Sequence, residues 1–450
     1  MASVVVISPP FQSHARPLAT LGAALARHGA HVDFACTEGF ADLATRHGLR
    51  FAELAVTRNA NHGIAETTRQ GRAEAQRLRE FLDATRHGPA ATLLTQARHR
   101  ADDMLADPER VLHDLAVLDA RLRPDWYLVD QLSYAATLAL HCLGLPYATF
   151  CPGHPSYVPV SPGAYFGLPY AWPDRLRPSP AELDRLRAAV AANDTAFTAV
   201  FKAVTRRHAP GRPEPDRAFA LCSPHAVVFN YPRLPWLPPA PSGPEALYAG
   251  HLLPRGAPEP LPTAWQAVLA RLTAGGRPVA LVALGTFLSA RHDVLTTAAA
   301  GILRHTPASV IVAAGSRVAD VTGHPLLRDA PPERLHVAPA VPQRELLPHA
   351  AVMVHHGGNN SFTECLHAGV RPGCPCPVRR RCGWSVRTGA ERVRSHCRRV
   401  CAAGGRRRWP RRPAPGRGGR PPRAAGPVRS GRAPARRSPG PAGAPGRRWR

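Results

Sequence analysis

Residues 356–361 read His-Gly-Gly-Asn-Asn-Ser and lie between a predicted strand and a predicted helix. Glycines let the backbone approach a ligand closely, and Asn and Ser cap helices well. The free amides and the positive dipole at such a helix start attract an anion. His356 adds a hydrogen-bond donor, and Glu364, one turn into the helix, can accept hydrogen bonds from two sugar hydroxyls. These residues suit a pyrophosphate with an attached ribose; a plain helix cap beside a buried histidine is the alternative.

A second set of residues has the types needed for general-base chemistry. His14 follows the first predicted strand, in residues 11–17, which read Phe-Gln-Ser-His-Ala-Arg-Pro. Imidazole titrates near neutral pH and can take a proton from a hydroxyl without a metal. Asp130 ends another predicted strand, where an acid can orient the histidine and stabilise its imidazolium. Two alternatives stay open, namely that His14 is an ordinary polar loop residue and that Asp130 caps the helix predicted from Ser133.

Alternating strands and helices must position these residues. A helix is predicted from about Pro17 to His28, after a β-branched strand at residues 3–7. Further strands are predicted at residues 31–36, 126–130, 147–150, 226–230, 279–284, 310–314, 335–338 and 351–355. This order predicts an α/β fold with two doubly wound, Rossmann-like domains that face a cleft at the carboxyl ends of their sheets.

Proline marks the predicted domain boundary, because residues 231–262 contain ten prolines. The sequence therefore predicts a first domain at residues 1–230, a linker at 231–262 and a second domain at 263–372.

Residues 373–450 differ sharply from the rest of the 450-residue chain. They hold 23 arginines against one acid and no Leu, Ile, Met, Phe or Tyr, whereas residues 1–372 hold 35 basic and 30 acidic side chains. Such a tail cannot bury a core, so we predict that it is disordered. With a single lysine in the chain, its Arg, Pro and Gly content suggests GC-rich DNA translated in a shifted frame. A natural basic arm is the alternative.

Cysteine spacing and motif searches predict no cofactor. The cysteines of residues 1–372 are scattered singly, and those of the tail fit no zinc-binding pattern. No G-x-G-x-x-G or P-loop motif is present. The longest apolar run, residues 134–150, is too short to span a membrane. We therefore expect a cytoplasmic protein without a metal, a cofactor or a membrane partner.

The residues of the first set, together with Val341-Pro342-Gln343 and Gly369-Val370, resemble a known signature. They are similar to the donor-sugar signature of nucleotide-sugar-dependent glycosyltransferases of the GT-B fold, which include bacterial antibiotic and macrolide glycosyltransferases and plant UDP-glycosyltransferases. The resemblance covers residues 3–372. It implies that the first domain binds an acceptor and that the second domain binds a UDP- or TDP-sugar.

The resemblance also implies individual roles. Val341 would present its backbone to the nucleobase, Gln343 would reach the nucleoside and Glu364 would bind the ribose hydroxyls. The diphosphate would be held by Thr286, His356, Gly358, Asn360 and Ser361. Residues 11–17 resemble the family's G-H-x-x-P loop, with Ser13 in place of glycine, and this selects His14 as the base and Asp130 as its partner.

One departure from the family concerns the donor sugar. The family has an Asp-Gln or Glu-Gln pair about sixteen residues after the ribose glutamate, where this chain has Arg380-Arg381. Arginine only donates hydrogen bonds, so it cannot accept them from sugar hydroxyls. The family's final strands and helices also have no counterpart in residues 373–450. We therefore expect an incomplete second domain and little or no activity of the chain as written.

The predicted function is inverting transfer of the sugar to a hydroxyl of a small, hydrophobic natural product. One alternative is an enzyme similar to nucleotide-sugar epimerases on the same fold, which would not need a paired His14. Another is non-specific nucleic-acid binding by the tail, which lacks interleaved aromatic residues and RGG repeats. We expect no specific nucleic-acid partner.

Overall fold

The structure is a computed structural model that describes residues 1–69, 71–105, 107–173, 176–253 and 259–373. The predicted tail, with its cysteines and with Arg380-Arg381, lies outside these residues apart from Gly373. Among the described residues, no helix is long and apolar enough to cross a bilayer. In the same ranges, no three His, Cys, Asp or Glu side chains converge as ligands for a metal ion.

The first half of the chain builds a parallel sheet, which has seven strands within the described residues. Its strands are β1 (Ser3–Ile7), β2 (His31–Cys36), β3 (Arg50–Glu53), β4 (Trp126–Asp130), β5 (Tyr147–Cys151), β6 (Ala226–Phe229) and β7 (Glu245–Tyr248). Their order across the sheet is β3-β2-β1-β4-β5-β6-β7. The order changes direction between β1 and β4, which pair in register from Val4 opposite Trp126. Ligands of open parallel sheets bind at such a point, beyond the carboxyl ends of the strands.

Helices cover both faces of this sheet. They are α1 (Gln12–Arg27), α2 (Ala41–Arg46), α3 (Arg72–Ala84), α4 (Pro89–Met104), α5 (Pro108–Leu122), α6 (Tyr134–Leu143) and α7 (Pro180–His208). Alternate residues of β1 enter opposite cores, since Val5 and Ile7 pack in one cluster and Val4 and Val6 in another. Burial on both faces explains why the strand is a continuous apolar run.

The second half repeats the architecture with a smaller parallel sheet. Its strands are β8 (Val279–Ala283), β9 (Ser309–Ala313), β10 (Leu335–Ala338), β11 (Ala350–His355) and β12 (Arg371–Gly373). Its helices are α8 (Thr263–Thr273), α9 (His292–His305), α10 (Val318–Thr322), α11 (Gln343–Leu346) and α12 (Asn359–Ala368). The described strands follow the order β10-β9-β8-β11-β12, so β8 and β11 lie side by side. The loops after these two strands therefore meet at one edge of the sheet.

The predicted α/β fold with parallel, doubly wound sheets is confirmed, and each predicted strand lies within a residue or two of an observed one. Helix α1 begins at Gln12 rather than near Pro17, and α12 begins at Asn359 rather than near Ser361. Strands β3, β7 and β12 were not predicted from the sequence. Strand β7 lies inside the segment predicted as linker, where it pairs with β6 at the edge of the first sheet.

Candidate active site

His14 and Asp130 form a direct pair beyond the carboxyl ends of β1 and β4. His14 Nδ1 lies 3.0 Å from Asp130 Oδ2, and the Asp130 side chain is completely buried. The second carboxylate oxygen, Oδ1, accepts a hydrogen bond of 2.9 Å from the backbone N–H of Leu132. One oxygen of Asp130 therefore fixes the turn that leads to α6, while the other is directed at the imidazole. This geometry suits an acid that orients a histidine.

Pro17 leaves a backbone acceptor free next to His14. Because proline has no N–H, the carbonyl of Ser13, four residues earlier in α1, lacks its usual helical partner. The Ser13 carbonyl instead accepts a hydrogen bond of 2.9 Å from Asn360 Nδ2 at the start of α12. The first turn of α1, which carries His14, is thus attached to the start of α12 through a carbonyl that Pro17 leaves available.

Two glycines make room for the His356 ring. A Cβ on Gly285 would lie 2.6 Å from His356 Cε1, and one on Gly358 would lie 2.5 Å from His356 Nε2. Gly285 also has a φ of +68°, which disfavours any other residue. Burial and the neighbouring His355 lower the pKa of His356 to about 4. His356 is therefore neutral near pH 7 and offers a hydrogen-bond donor at the start of α12 rather than a positive charge.

Gln343 joins α11 to α12 at the predicted nucleoside site. Its Nε2 donates a hydrogen bond to Glu364 Oε2 and lies 3.4 Å from Ser361 Oγ. Burial raises the pKa of the Glu364 carboxyl, while Gln343 and the charge of Arg16 oppose that rise. The Glu364 side chain is half-buried, with 21% of its surface exposed, and its carboxylate can accept further hydrogen bonds.

The remaining predicted residues lie on loops that border these groups. Val341 is half-buried before α11, and its carbonyl accepts a hydrogen bond of 2.8 Å from the backbone N–H of Gln343. Thr286 follows β8, and its Oγ1 lies 3.4 Å from Asn61 Nδ2 of the first half. The structure thus brings His14, Asp130 and Asn360 into one connected cluster and Gln343, Ser361 and Glu364 into another, both involving α12.

Sequence reasoning assigned no role to several residues that join the two halves of the chain. Asn359 Nδ2 donates to the carbonyls of Pro152, at 2.7 Å, and Asn230, at 3.1 Å. The rings of Phe362 and Tyr231 stack with centroids 5.6 Å apart. Asn359 stands in the helix-start motif, which could have drawn attention to it, but its partners are backbone carbonyls that no sequence pattern reveals.

Comparison with known proteins places this geometry in a known fold. No family model matches the chain. A stretch of 95 residues is 37% identical to NDP-glycosyltransferase YjiC of Bacillus licheniformis and covers 21% of this chain and 22% of that protein. The sequence match therefore spans about a fifth of the curated relative.

Solved structures match over most of the chain. The glycotransferase of kitacinnamycin has a TM-score of 0.54 and 19% identity, covering 89% of this chain and 90% of its own. Glycosyltransferase VinC in complex with DTDP has a TM-score of 0.50 and 20% identity, covering 89% and 91%. The chain has the GT-B fold. At these identities the likeness shows the fold.

Proposed function

We propose that the protein is a glycosyltransferase that moves a sugar from a UDP- or TDP-sugar to a hydroxyl of a small acceptor, with inversion at the anomeric carbon. The observation that carries the proposal is the hydrogen bond of 2.9 Å between Asn360 Nδ2 and the Ser13 carbonyl. It places a histidine paired with a buried acid beside the start of a helix that suits a diphosphate. An enzyme similar to nucleotide-sugar epimerases would not need a paired His14 beside the start of α12.

The donor would bind along α11 and α12. In this proposal the backbone at Val341 faces the base, and Gln343 and Glu364 bind the nucleoside. Thr286, His356, Gly358, Asn360 and Ser361 surround the diphosphate. The free amides of α12 would stabilise the charge that develops on the leaving diphosphate, and the neutral His356 would add one N–H donor.

His14 and Asp130 would supply the base. Because Nδ1 of His14 faces Asp130, Nε2 is the nitrogen that would take the proton from the acceptor hydroxyl. The hydroxyl oxygen would form a bond to the anomeric carbon as the bond to the diphosphate oxygen breaks on the opposite side. A single displacement of this kind inverts the configuration, and Asp130 would stabilise the imidazolium that forms.

The acceptor would lie over the first sheet, near an aromatic cluster beside the base. Gln131, which follows Asp130, donates from Nε2 to the Tyr134 hydroxyl at 2.9 Å and to the Tyr157 carbonyl at 2.8 Å. The rings of Tyr134 and Tyr157 both contact Phe166 in edge-to-face geometry. Tyr134 and Phe166 are buried in the core of the first half, and Tyr157 is the exposed member of the cluster. The proposed acceptor, a small, hydrophobic, hydroxylated natural product, would lie against Tyr157. Two solved structures of this fold are the glycotransferase of kitacinnamycin and a spinosyn forosaminyltransferase.

The proposal also assigns a separate role to each domain. Residues 1–230 would bind the acceptor, residues 231–262 would link the domains, and residues 263–372 would bind the donor. Strand β7 lies within residues 231–262 and extends the first sheet, so this part of the proposed linker packs as part of the first domain.

We expect the chain as written to transfer sugar slowly, because Arg380-Arg381 stand where the family's acid and glutamine bind the donor sugar. The transfer rate of this chain is compared with that of a second protein, the reading-frame variant. The reading-frame variant is the product of the same DNA read in a shifted frame after codon 372. Its rate of transfer should exceed that of the chain as written. Equal rates in a coupled assay of UDP or TDP release would contradict this expectation.

Replacing Glu364 with alanine should weaken UDP or TDP binding by about 1–3 kcal/mol, the usual scale for losing hydrogen bonds to a charged group. Isothermal titration calorimetry on the full chain measures this change. Glu345→Ala is the matched control, because it removes a nearby negative charge that has no hydrogen bond to Gln343. Unchanged affinity in Glu364→Ala would refute the ribose assignment.

A further inference from the structure

His251 reaches the candidate ribose site from the segment that follows β7. The backbone on either side is fixed to the first half of the chain, since the Gly250 N–H donates to the Tyr231 carbonyl at 3.2 Å and the Leu252 N–H to Asn230 Oδ1 at 3.2 Å. The His251 side chain is only 8% exposed. The backbone at His251 is therefore held in place by contacts that do not involve α12.

Two neighbouring residues of α12 face this ring. His251 Nδ1 lies 2.7 Å from Thr363 Oγ1, and Nε2 lies 3.7 Å from Glu364 Oε1. The other carboxylate oxygen of Glu364 accepts from Gln343. The carboxylate thus lies between an amide on one side and an imidazole on the other.

The position of the ring proton follows from these neighbours. Burial, His367 and the charge of Arg344 lower the pKa of His251 to about 3, so the ring is neutral and carries one N–H near pH 7. A proton on Nδ1 would leave the Nε2 lone pair facing a carboxylate, which repels it. A proton on Nε2 is attracted to Glu364. Nδ1 then accepts from the Thr363 hydroxyl at 2.7 Å, and that hydroxyl turns its proton away from the carbonyls of Asn359 and Asn360, which lie 3.0 and 3.2 Å from it. The contacts therefore favour the Nε2–H tautomer.

We propose that His251 is a positioning residue that holds the Glu364 carboxylate in the orientation that binds the ribose of the donor. The inference rests on the proposed function and adds a residue from outside the donor motif. At 3.7 Å the contact is too long for a hydrogen bond, so its effect is electrostatic attraction combined with the anchoring of Thr363. It also connects nucleotide binding to the segment between the two sheets.

The test separates nucleoside binding from phosphate binding. UDP, TDP and inorganic pyrophosphate are titrated into the full chain and into His251→Phe, which keeps a ring but removes both polar contacts. The salt concentration is kept at about 0.3 M to suppress binding of phosphates by the arginine tail. We expect the nucleoside diphosphate that binds the unaltered chain to bind about tenfold more weakly to His251→Phe, as for partners that orient a ligand-binding group. Pyrophosphate affinity should stay the same.

Two further variants guard against a folding defect. His251→Gln can still direct an amide N–H at Glu364 and should retain most of the affinity. Thr363→Val removes the hydroxyl at nearly constant shape and should weaken nucleoside diphosphate binding by a smaller factor. Unchanged nucleoside affinity in both His251→Phe and Thr363→Val, or an equal loss of pyrophosphate affinity, would overturn the inference. Failure of the unaltered chain to bind either nucleotide would instead count against the proposed function.

Discussion

Replacing His14 with alanine in the reading-frame variant is expected to lower the rate of sugar transfer by about 10²–10⁴-fold, the usual contribution of a general base. Nucleoside diphosphate affinity should not change, because the side chain contacts Asp130 and none of the residues assigned to the donor. The measurement combines initial rates of product formation with calorimetric titration of the same protein preparation.

His28→Ala is the matched control for this substitution. His28 is exposed at the carboxyl end of the same helix, α1, and should leave both rate and affinity unchanged. If His14→Ala transferred sugar as fast as the unaltered protein, another group would have to be the base.

The second large effect is expected for Asp130→Asn, again about 10²–10⁴-fold in rate. Asparagine has the shape of aspartate, and its Oδ1 can still accept from the Leu132 N–H, so the turn before α6 is kept. Its amide nitrogen would face His14 Nδ1 as a donor, which favours the tautomer with the proton on Nε2. That tautomer cannot take a proton from the acceptor.

Asp125→Asn provides the comparison at the other end of the strand. Asp125 accepts from the Ser3 N–H at 2.8 Å, and asparagine can keep that hydrogen bond. Only Asp130→Asn should slow transfer. A similar rate for both variants and the unaltered protein would show that Asp130 serves only to cap α6.

The fold was predictable because strong local signals agree with it. Continuous β-branched runs such as that of β1 mark strands buried on both faces, and their alternation with helices selects parallel sheets. The helix predicted from Ser133 is α6, and Gly144, with a φ of +67°, ends it as glycine commonly does. The pairing of His14 with Asp130 could also be predicted, because His14 follows β1, Asp130 ends β4, and the family resemblance selects both residues.

Other features depend on tertiary contacts that the sequence does not display. Pro17 suggested a helix start, but α1 begins at Gln12 and contains Pro17 inside it. The Ser13 carbonyl that Pro17 leaves without a helical partner accepts from Asn360 instead. Strand β7 is short and half-exposed, so it lacks the apolar run that marks a buried strand. His251 stands in a proline-rich segment far from the donor motif, and only folding brings it to Glu364.

The nucleotide preference of the full chain tests most directly whether the protein binds a UDP- or TDP-sugar. It is measured at about 0.3 M salt, where binding to the arginine tail is largely screened. Titration of UDP, TDP and ADP by calorimetry needs neither an acceptor nor turnover. We expect saturable binding of UDP or TDP with one site per chain and clearly weaker binding of ADP. Equal affinity for all three nucleotides that disappears as salt is raised would contradict this expectation and would leave non-specific charge as the source of binding.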